Sequence, residues 1–333
     1  YLVAEADEHD LSFLRLRPTI SVVTNIDAEH LENYGTLDKI KRAFTDFCNG
    51  IPFYGYSIVC WDDPNVRAIL DDIDSVCITY GTEDGASLVG GNVRVGEAAA
   101  RTAVAPGAPG ESRPGADLLG RLATSVDVTS HDERLNVTGP LGTLTFNAVG
   151  VHNVRNALGA CAVGLCLGMS FPQIAAGLRL YDGVRRRLQL RGRHNGITVV
   201  EDYAHHPTEI ASTLEAARWL DVKRIVCVFQ PHLYSRTKYF YDDFARVLAT
   251  ADRAIVTAIY PAREDPMPGV DSGLIVDAAH ETGAGHVELV NDMESVPALL
   301  APALEPGDLV LVLGAGNINR IVEPLLSELQ KIC

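Results

Sequence analysis

Ile197-Thr198-Val199-Val200-Glu201-Asp202-Tyr203-Ala204-His205-His206-Pro207-Thr208-Glu209 is the stretch on which the fold turns. Its first five residues form a short, largely β-branched run of the kind buried on both faces of a parallel sheet. Polar residues follow at once, and Pro207 suits the first turn of a helix. Strand, polar loop, helix is half of a βαβ unit. The rhythm continues with predicted strands at 224–229, 254–258, 287–289 and 309–313, separated by helices. Residues 1–80 read the same way. Strands are predicted at 2–6, 20–24, 57–61 and 76–79, an amphipathic helix carries Leu37, Ile40, Phe44 and Phe47, and a short helix spans 65–72. The expected class is α/β with mostly parallel sheets.

Between these halves the pattern changes. Residues 86–148 carry short alternating strands rich in Gly, Thr and Val, which adds a small antiparallel part. Within them, 105–110 and 114–115 are Pro/Gly-rich and read as a surface insertion. Helices are predicted at 152–168 and 171–180. The stretch 185–193 is basic and polar, a linker between two domains expected at 1–187 and 188–333.

With 333 residues, two domains are the default. The formal charge of −15 repels phosphate backbones, so nucleic acid is not an expected partner. A small nucleotide site is compatible with that field, because it needs only local donors and a metal. No apolar run approaches the ~20 residues that cross a bilayer, so no membrane is expected. The seven cysteines lie in or beside apolar stretches and form no C-x-x-C pair, which fits reduced, mostly buried thiols in a cytoplasmic protein. Tyr1 to Glu8 lacks a basic start, a signal core and a methionine, so the chain is expected to be a fragment.

Several polar clusters sit where strands should end, the edge at which open α/β sheets bind ligands. Glu5-Ala6-Asp7-Glu8-His9-Asp10 offers four carboxylates in six residues to a hard cation such as Mg²⁺. Thr24-Asn25-Ile26-Asp27-Ala28-Glu29-His30 closes the next strand, and adjacent strand ends would bring His30 towards Glu5. A solvated loop is the plainer account of each. His152-Asn153-Val154-Arg155-Asn156 opens a helix with two side-chain amides three residues apart, able to read an adenine edge. Simple helix capping is the alternative. Asp202 to Glu209 and Gln230-Pro231-His232-Leu233-Tyr234-Ser235-Arg236-Thr237 project onto one rim of the second sheet. Three histidines there invite zinc, but neither H-E-x-x-H nor H-x-x-E-H occurs, and arginine beside histidine suits a carboxylate or phosphate better. Gly314-Ala315-Gly316-Asn317-Ile318-Asn319 lacks the Gly or Ala that a dinucleotide finger needs at 319, so a tight strand-to-helix turn is the better account. No G-x-x-x-x-G-K-[ST] loop is present.

Together these stretches resemble the Mur ligases: AEADEHDLSFL (4–14), VTNIDAEHLENY (23–34), IPFYG (51–55), GVHNVRNALGA (150–160), VRRRLQ (184–189), EDYAHHPTEI (201–210), VFQPHLYSRT (228–237) and LGAGNI (313–318). DYAHHPTE and FQPH-x-YSRT resemble the alanine-adding branch in particular. The resemblance implies a truncated central ATPase domain followed by a Rossmann-like C-terminal domain, with the UDP-sugar domain and phosphate loop absent, so that this chain alone is expected to be inactive. It implies ATP and Mg²⁺ as cofactors, and UDP-N-acetylmuramate and L-alanine as substrates joined through an acyl phosphate. It makes Glu5 and His30 metal ligands, and His152, Asn153 and Asn156 the adenine-binding helix. It makes Arg187 the hinge arginine that reaches the ATP phosphates, with a catalytic part, and Asp202 the ribose contact beside Tyr203. Tyr203, His205, His232 and Arg236 then form the amino-acid and acyl-phosphate face. Leu233 departs from the pattern, since some relatives carry arginine there, and the Pro/Gly-rich insertion has no counterpart. Another Mur-type ligase, or a non-catalytic nucleotide- or amino-acid-binding module, is the alternative.

Overall fold

A computed structural model describes residues 1–9, 11–29, 31–97, 122–181 and 183–332, with the backbone alone for Leu31 and Glu32. The chain divides into two units. One comprises Tyr1–Gly96, Ala123–Phe146 and Val151–Tyr181, and the other Glu97–Leu122, Asn147–Gly150 and Asp182–Cys333. Each is built on a six-stranded sheet.

In the first unit the strands stand in chain order: β1 (Ile20–Val23), β2 (Tyr56–Cys60), β3 (Cys77–Gly81), β4 (Leu88–Glu97), β5 (Leu122–Ser130) and β6 (Gly139–Phe146). β1 to β4 pair in parallel, and β5 with β6 antiparallel. The helix Leu37–Asn49 starts where the Thr36 side chain accepts from the Lys39 amide, and it packs Ile40, Ala43 and Phe47 against Phe13, Val23 and Val59. The helix Val151–Cys166, rich in small residues, lies on β2 and β3, and Gly159 gives the Tyr80 ring its room.

Four sequence expectations change here. Residues 2–6 form no strand; Tyr1, Leu2 and Val3 are more than 90% exposed. An apolar run becomes a strand only where a neighbour takes up its backbone groups, and none does so among the described residues. The helix expected over 65–72 is Pro64–Arg67, capped by Asp63, followed by a separate 3₁₀ turn, Leu70–Asp72. The strands over 86–148 are eight to ten residues long rather than short. The basic linker contains β7 (Gln189–His194), because Arg191 finds a buried partner in Glu201. The Pro/Gly-rich insertion lies outside the described residues.

In the second unit β8 (Ile197–Asp202), β9 (Arg224–Phe229), β10 (Arg253–Val256), β11 (Val287–Leu289) and β12 (Asp308–Leu313) follow β7, in the spatial order β11-β10-β9-β12-β8-β7. All pairs are parallel except β7 with β8. β8 and β12 are buried at every position, as central parallel strands require. Below them Val199, Val226, Val228, Val310 and Val312 pack against Leu325 and Leu329 of the helix Val322–Lys331. Because β12 returns between β8 and β9, two strands consecutive in sequence part at their carboxyl ends. That is where an open sheet forms its binding crevice.

Candidate active site

The loops that leave β8, β9, β10 and β12 meet on this rim. Asp202 ends β8 with its carboxylate buried, accepting from the amides of Leu188 (2.6 Å) and Ala204 (2.8 Å). Burial raises its pKa above the ordinary carboxylate value, and those two amides oppose the shift. The chain then turns so that the Tyr203 ring meets His205 edge to face at 5.3 Å, and His205 meets His232 at 5.8 Å. His232 stacks on Tyr260 at 5.6 Å. A backbone bridge between His232 and Tyr260 holds the β9 and β10 loops together, with Leu233 donating to the Tyr260 carbonyl at 2.9 Å. Leu233 is held at φ 73°, ψ 136°, a strained conformation for a branched side chain.

His205 Nδ1 faces two acceptors, the Tyr203 carbonyl at 3.0 Å and Glu209 Oε2 at 3.1 Å, so Nδ1 carries the proton and Nε2 keeps its lone pair. Burial lowers the pKa of this imidazole and Glu209 opposes it, so the ring is neutral near pH 7. Burial acts to raise Glu209, but the charge of the His205 ring when protonated, the His205 amide and Arg187 outweigh it and hold the carboxylate below its ordinary value. The contact is therefore a hydrogen bond from a neutral imidazole to a carboxylate. His232 is lowered further, to about 4, by burial and by the neighbouring His205 and Arg236. The helix Tyr234–Leu248 begins here, its Ser235 amide donating to Glu264 at 2.9 Å. Arg236 presents a buried guanidinium nitrogen with no hydrogen-bond partner among the described residues. A neutral base beside an unpaired cation can take a proton from a nucleophile while stabilising developing negative charge.

Gly314 to Asn319 forms the turn expected of it. A Cβ on Gly316 would stand 2.4 Å from Gln230 Oε1 and 2.6 Å from the Tyr260 ring, and Gly314 turns at φ 146°. Gln230 in turn accepts from the amides of Asn317 and Ile318, locking the β9 and β12 loops together.

In the first unit, Asn153 Nδ2 donates to His152 Nε2 at 2.9 Å, and Asn156 is exposed one turn along the helix Val151–Cys166. Arg155 between them reaches Asp62 Oδ2 at 2.7 Å. Glu5 is exposed, in a loop rather than at a strand end, and no hydrogen bond or ion pair engages it among the described residues. His30 lies outside the described residues. The segments bearing the two are nonetheless tied together: the Tyr34 hydroxyl donates to the Glu8 carbonyl, and Asn33 Nδ2 to the His9 carbonyl at 2.7 Å. Among the described residues no three metal-ligating side chains gather. An exposed carboxylate still suits Mg²⁺, which keeps most of its waters and takes few protein ligands.

Arg187 hydrogen-bonds Glu209 at 3.3 Å and lies over the Tyr203 ring at 5.7 Å. Glu209 and Tyr260 complete the rim although no sequence motif gives either a role. Glu209 was findable, standing three residues after His206 at the spacing of a capping box. Tyr260 had no signal, because only the β9–β10 pairing brings it to His232.

The second unit is thus an open α/β sheet whose carboxyl rim gathers two imidazoles and a buried guanidinium nitrogen, the build of a ligand-binding α/β domain. Comparison with known proteins makes this specific. Residues 1–164 match the Mur ligase middle domain, and 186–316 match the "Mur ligase, glutamate ligase domain". The chain belongs to the Mur ligase family. It is 42% identical over 330 residues to a UDP-N-acetylmuramate–L-alanine ligase of Salinibacter ruber, covering 99% of this chain and 63% of that protein. It is 40% identical over 332 residues to one of Syntrophus aciditrophicus, covering 100% and 63%. It thus spans less than two thirds of those relatives. Among solved structures, the UDP-N-acetylmuramate-alanine ligase of Thermotoga maritima superposes with a TM-score of 0.71 at 22% identity, over 98% of this chain and 63% of that one. MurF from Acinetobacter baumannii gives 0.69 at 16% identity, over 96% and 62%. These likenesses show the fold.

Proposed function

We propose that this chain forms the ATP-binding and amino-acid-binding parts of a cytoplasmic ligase that joins L-alanine to UDP-N-acetylmuramate in peptidoglycan precursor synthesis. The observation that carries the reading is the rim itself: His205, His232 and the unpaired Arg236 nitrogen converge at the carboxyl ends of β8 and β9. The names of the relatives, at 40–42% identity, support the substrate assignment.

A carboxylate is a poor electrophile because its leaving group would be oxide; ATP, with Mg²⁺, supplies the phosphoryl group that turns it into an acyl phosphate. Asn153 and Asn156, with His152 beside them, would receive the adenine, Asp202 and Tyr203 the ribose side, and Glu5 with His30 the cation. The neutral His205 takes the proton of the incoming amine at Nε2, and the Nδ1 contact with Glu209 holds its tautomer. Arg236 and Arg187 carry the positive charge that the transferring phosphoryl and the tetrahedral oxygen need. His232, kept neutral by its surroundings, orients His205 rather than competing for the proton.

The test is phosphate release by the protein at the full length of its relatives. Release is expected only with ATP, UDP-N-acetylmuramate and L-alanine all present. Equal turnover with glycine, serine or D-glutamate in place of L-alanine would overturn the substrate assignment. Turnover unaffected by Glu5→Ala and His30→Ala at low Mg²⁺ would remove both residues from the metal site.

A further inference from the structure

Arg186 is held by more of the fold than Arg187, the arginine picked out by motif. Its Nε lies 2.7 Å from Glu201 Oε1, an ion pair without the alignment of a hydrogen bond. Its Nη2 donates to the Gly314 carbonyl at 2.7 Å. Its guanidinium lies over the Tyr203 ring at 4.7 Å, and its own carbonyl accepts from the Tyr203 amide at 2.7 Å. A single residue therefore ties the loop after β8 to the loop after β12. The backbone around it is bent to allow this, with Arg186 at φ 58° and Leu188 at φ 42°. Glu201, whose side chain is 2% exposed at the end of β8, is the counter-ion. Its second oxygen pairs with Arg191 of β7, which turns away to Glu323 and touches neither Tyr203 nor Gly314 among the described residues. A carboxylate that deeply buried is tolerable only when paired.

We propose that Arg186 is a positioning residue, fixing the Tyr203 ring and the Gly314 turn so that the rim keeps its geometry. The kinetic part of this rests on the ligase reading above. Lysine cannot substitute, because a point-charge ammonium cannot reach Glu201, donate to Gly314 and cover an aromatic face together.

Arg186→Lys and Arg191→Lys separate positioning from ion pairing, since each weakens one side of the Glu201 carboxylate. In the full-length ligase, Arg186→Lys is expected to lower kcat at least about tenfold at saturating substrates, as small misplacements in a reacting site do. Arg191→Lys is expected to stay within about twofold of the starting kcat while losing thermal stability. If the two variants have the same kcat and KM, Arg186 is merely structural and the proposal falls. A measurement independent of turnover is ¹⁹F NMR of 3-fluorotyrosine-labelled protein, with the Tyr203 signal assigned by Tyr203→Phe. That signal should move in Arg186→Lys and stay in Arg191→Lys; an unmoved signal in Arg186→Lys overturns the proposal. A wrong ligase reading would show separately, as unsubstituted protein releasing no phosphate while its Tyr203 signal still responds to Arg186→Lys.

Discussion

Packed between His205, Tyr260 and Arg236, the His232 imidazole resists protonation down to about pH 4, whereas an unfolded histidine titrates near 6.5. Arg236 and Arg263 act in the same direction and Glu264 opposes them. As pH falls through about 6.5 the unfolded chain takes up a proton that the folded chain refuses, so stability drops from there to about pH 4 and levels off below. The unfolding midpoint of the starting protein minus that of His232→Gln should therefore be constant above pH 6.5 and decline towards pH 4. A difference that stays flat would show that the imidazole is not so depressed. Arg236→Met removes the rim's unpaired donor. Loss of a charge-assisted hydrogen bond is worth about 1.5–3 kcal/mol, so kcat/KM should fall about 10- to 100-fold with little change in thermal stability. An equal loss of stability would instead make Arg236 a structural residue. The residue types of this rim were readable in DYAHHPTE and FQPHLYSRT. Which nitrogen of His205 holds the proton was not, because that depends on Glu209 and the Tyr203 carbonyl meeting the same atom.

The helix Val151–Cys166 and the loop after β12 show how elements hold their place. Asp62, with a side chain fully buried at the end of β2, accepts from the Thr82 amide and hydroxyl, the Glu83 amide and Arg155 Nε. Burial opposes its charge, yet the Thr82 hydrogen bonds and Arg155 keep its pKa below the ordinary value. Asp62→Ala strands those donors and frees the end of the helix that carries Asn153 and Asn156. Urea denaturation should show a loss of about 2–3 kcal/mol. Gly316→Ala forces a Cβ into Gln230 and Tyr260, so about 1–3 kcal/mol should be lost and the Tyr260–His232 stack disturbed. Unchanged stability in either variant would contradict the packing described here. Strand and helix types along most of the chain follow from periodicity and punctuation, and the βαβ rhythm is legible throughout the second unit. The misread elements were those whose state depends on a partner. Residues 2–6 read as a strand but join no ladder among the described residues, and the stretch 185–193 reads as a linker but contains most of β7, which pairs with β8 and brings Arg191 to a buried carboxylate.

At the scale of the whole molecule, two six-stranded sheets each present a carboxyl edge, and no helix among the described residues is long and apolar enough to cross a membrane. The described cysteines are free, and burial raises Cys161 and Cys227 to about 12, so they are inert as nucleophiles. With a formal charge of −15, the chain should show no binding to duplex DNA tighter than about 100 µM at 0.15 M salt by fluorescence anisotropy; tighter binding would reveal a local basic surface overriding the overall field. The sequence by itself determined the α/β class, the family and the side-chain chemistry of the rim, because apolar period, loop punctuation and residue type are local properties of the chain. Tertiary structure alone decided the return of β12 between β8 and β9, the meeting of Tyr260 with His232, and the choice of Glu201 as counter-ion to Arg186. Those depend on strand order and register, which bring together residues 28, 15 and more than 100 positions apart, and no local pattern encodes such a distance.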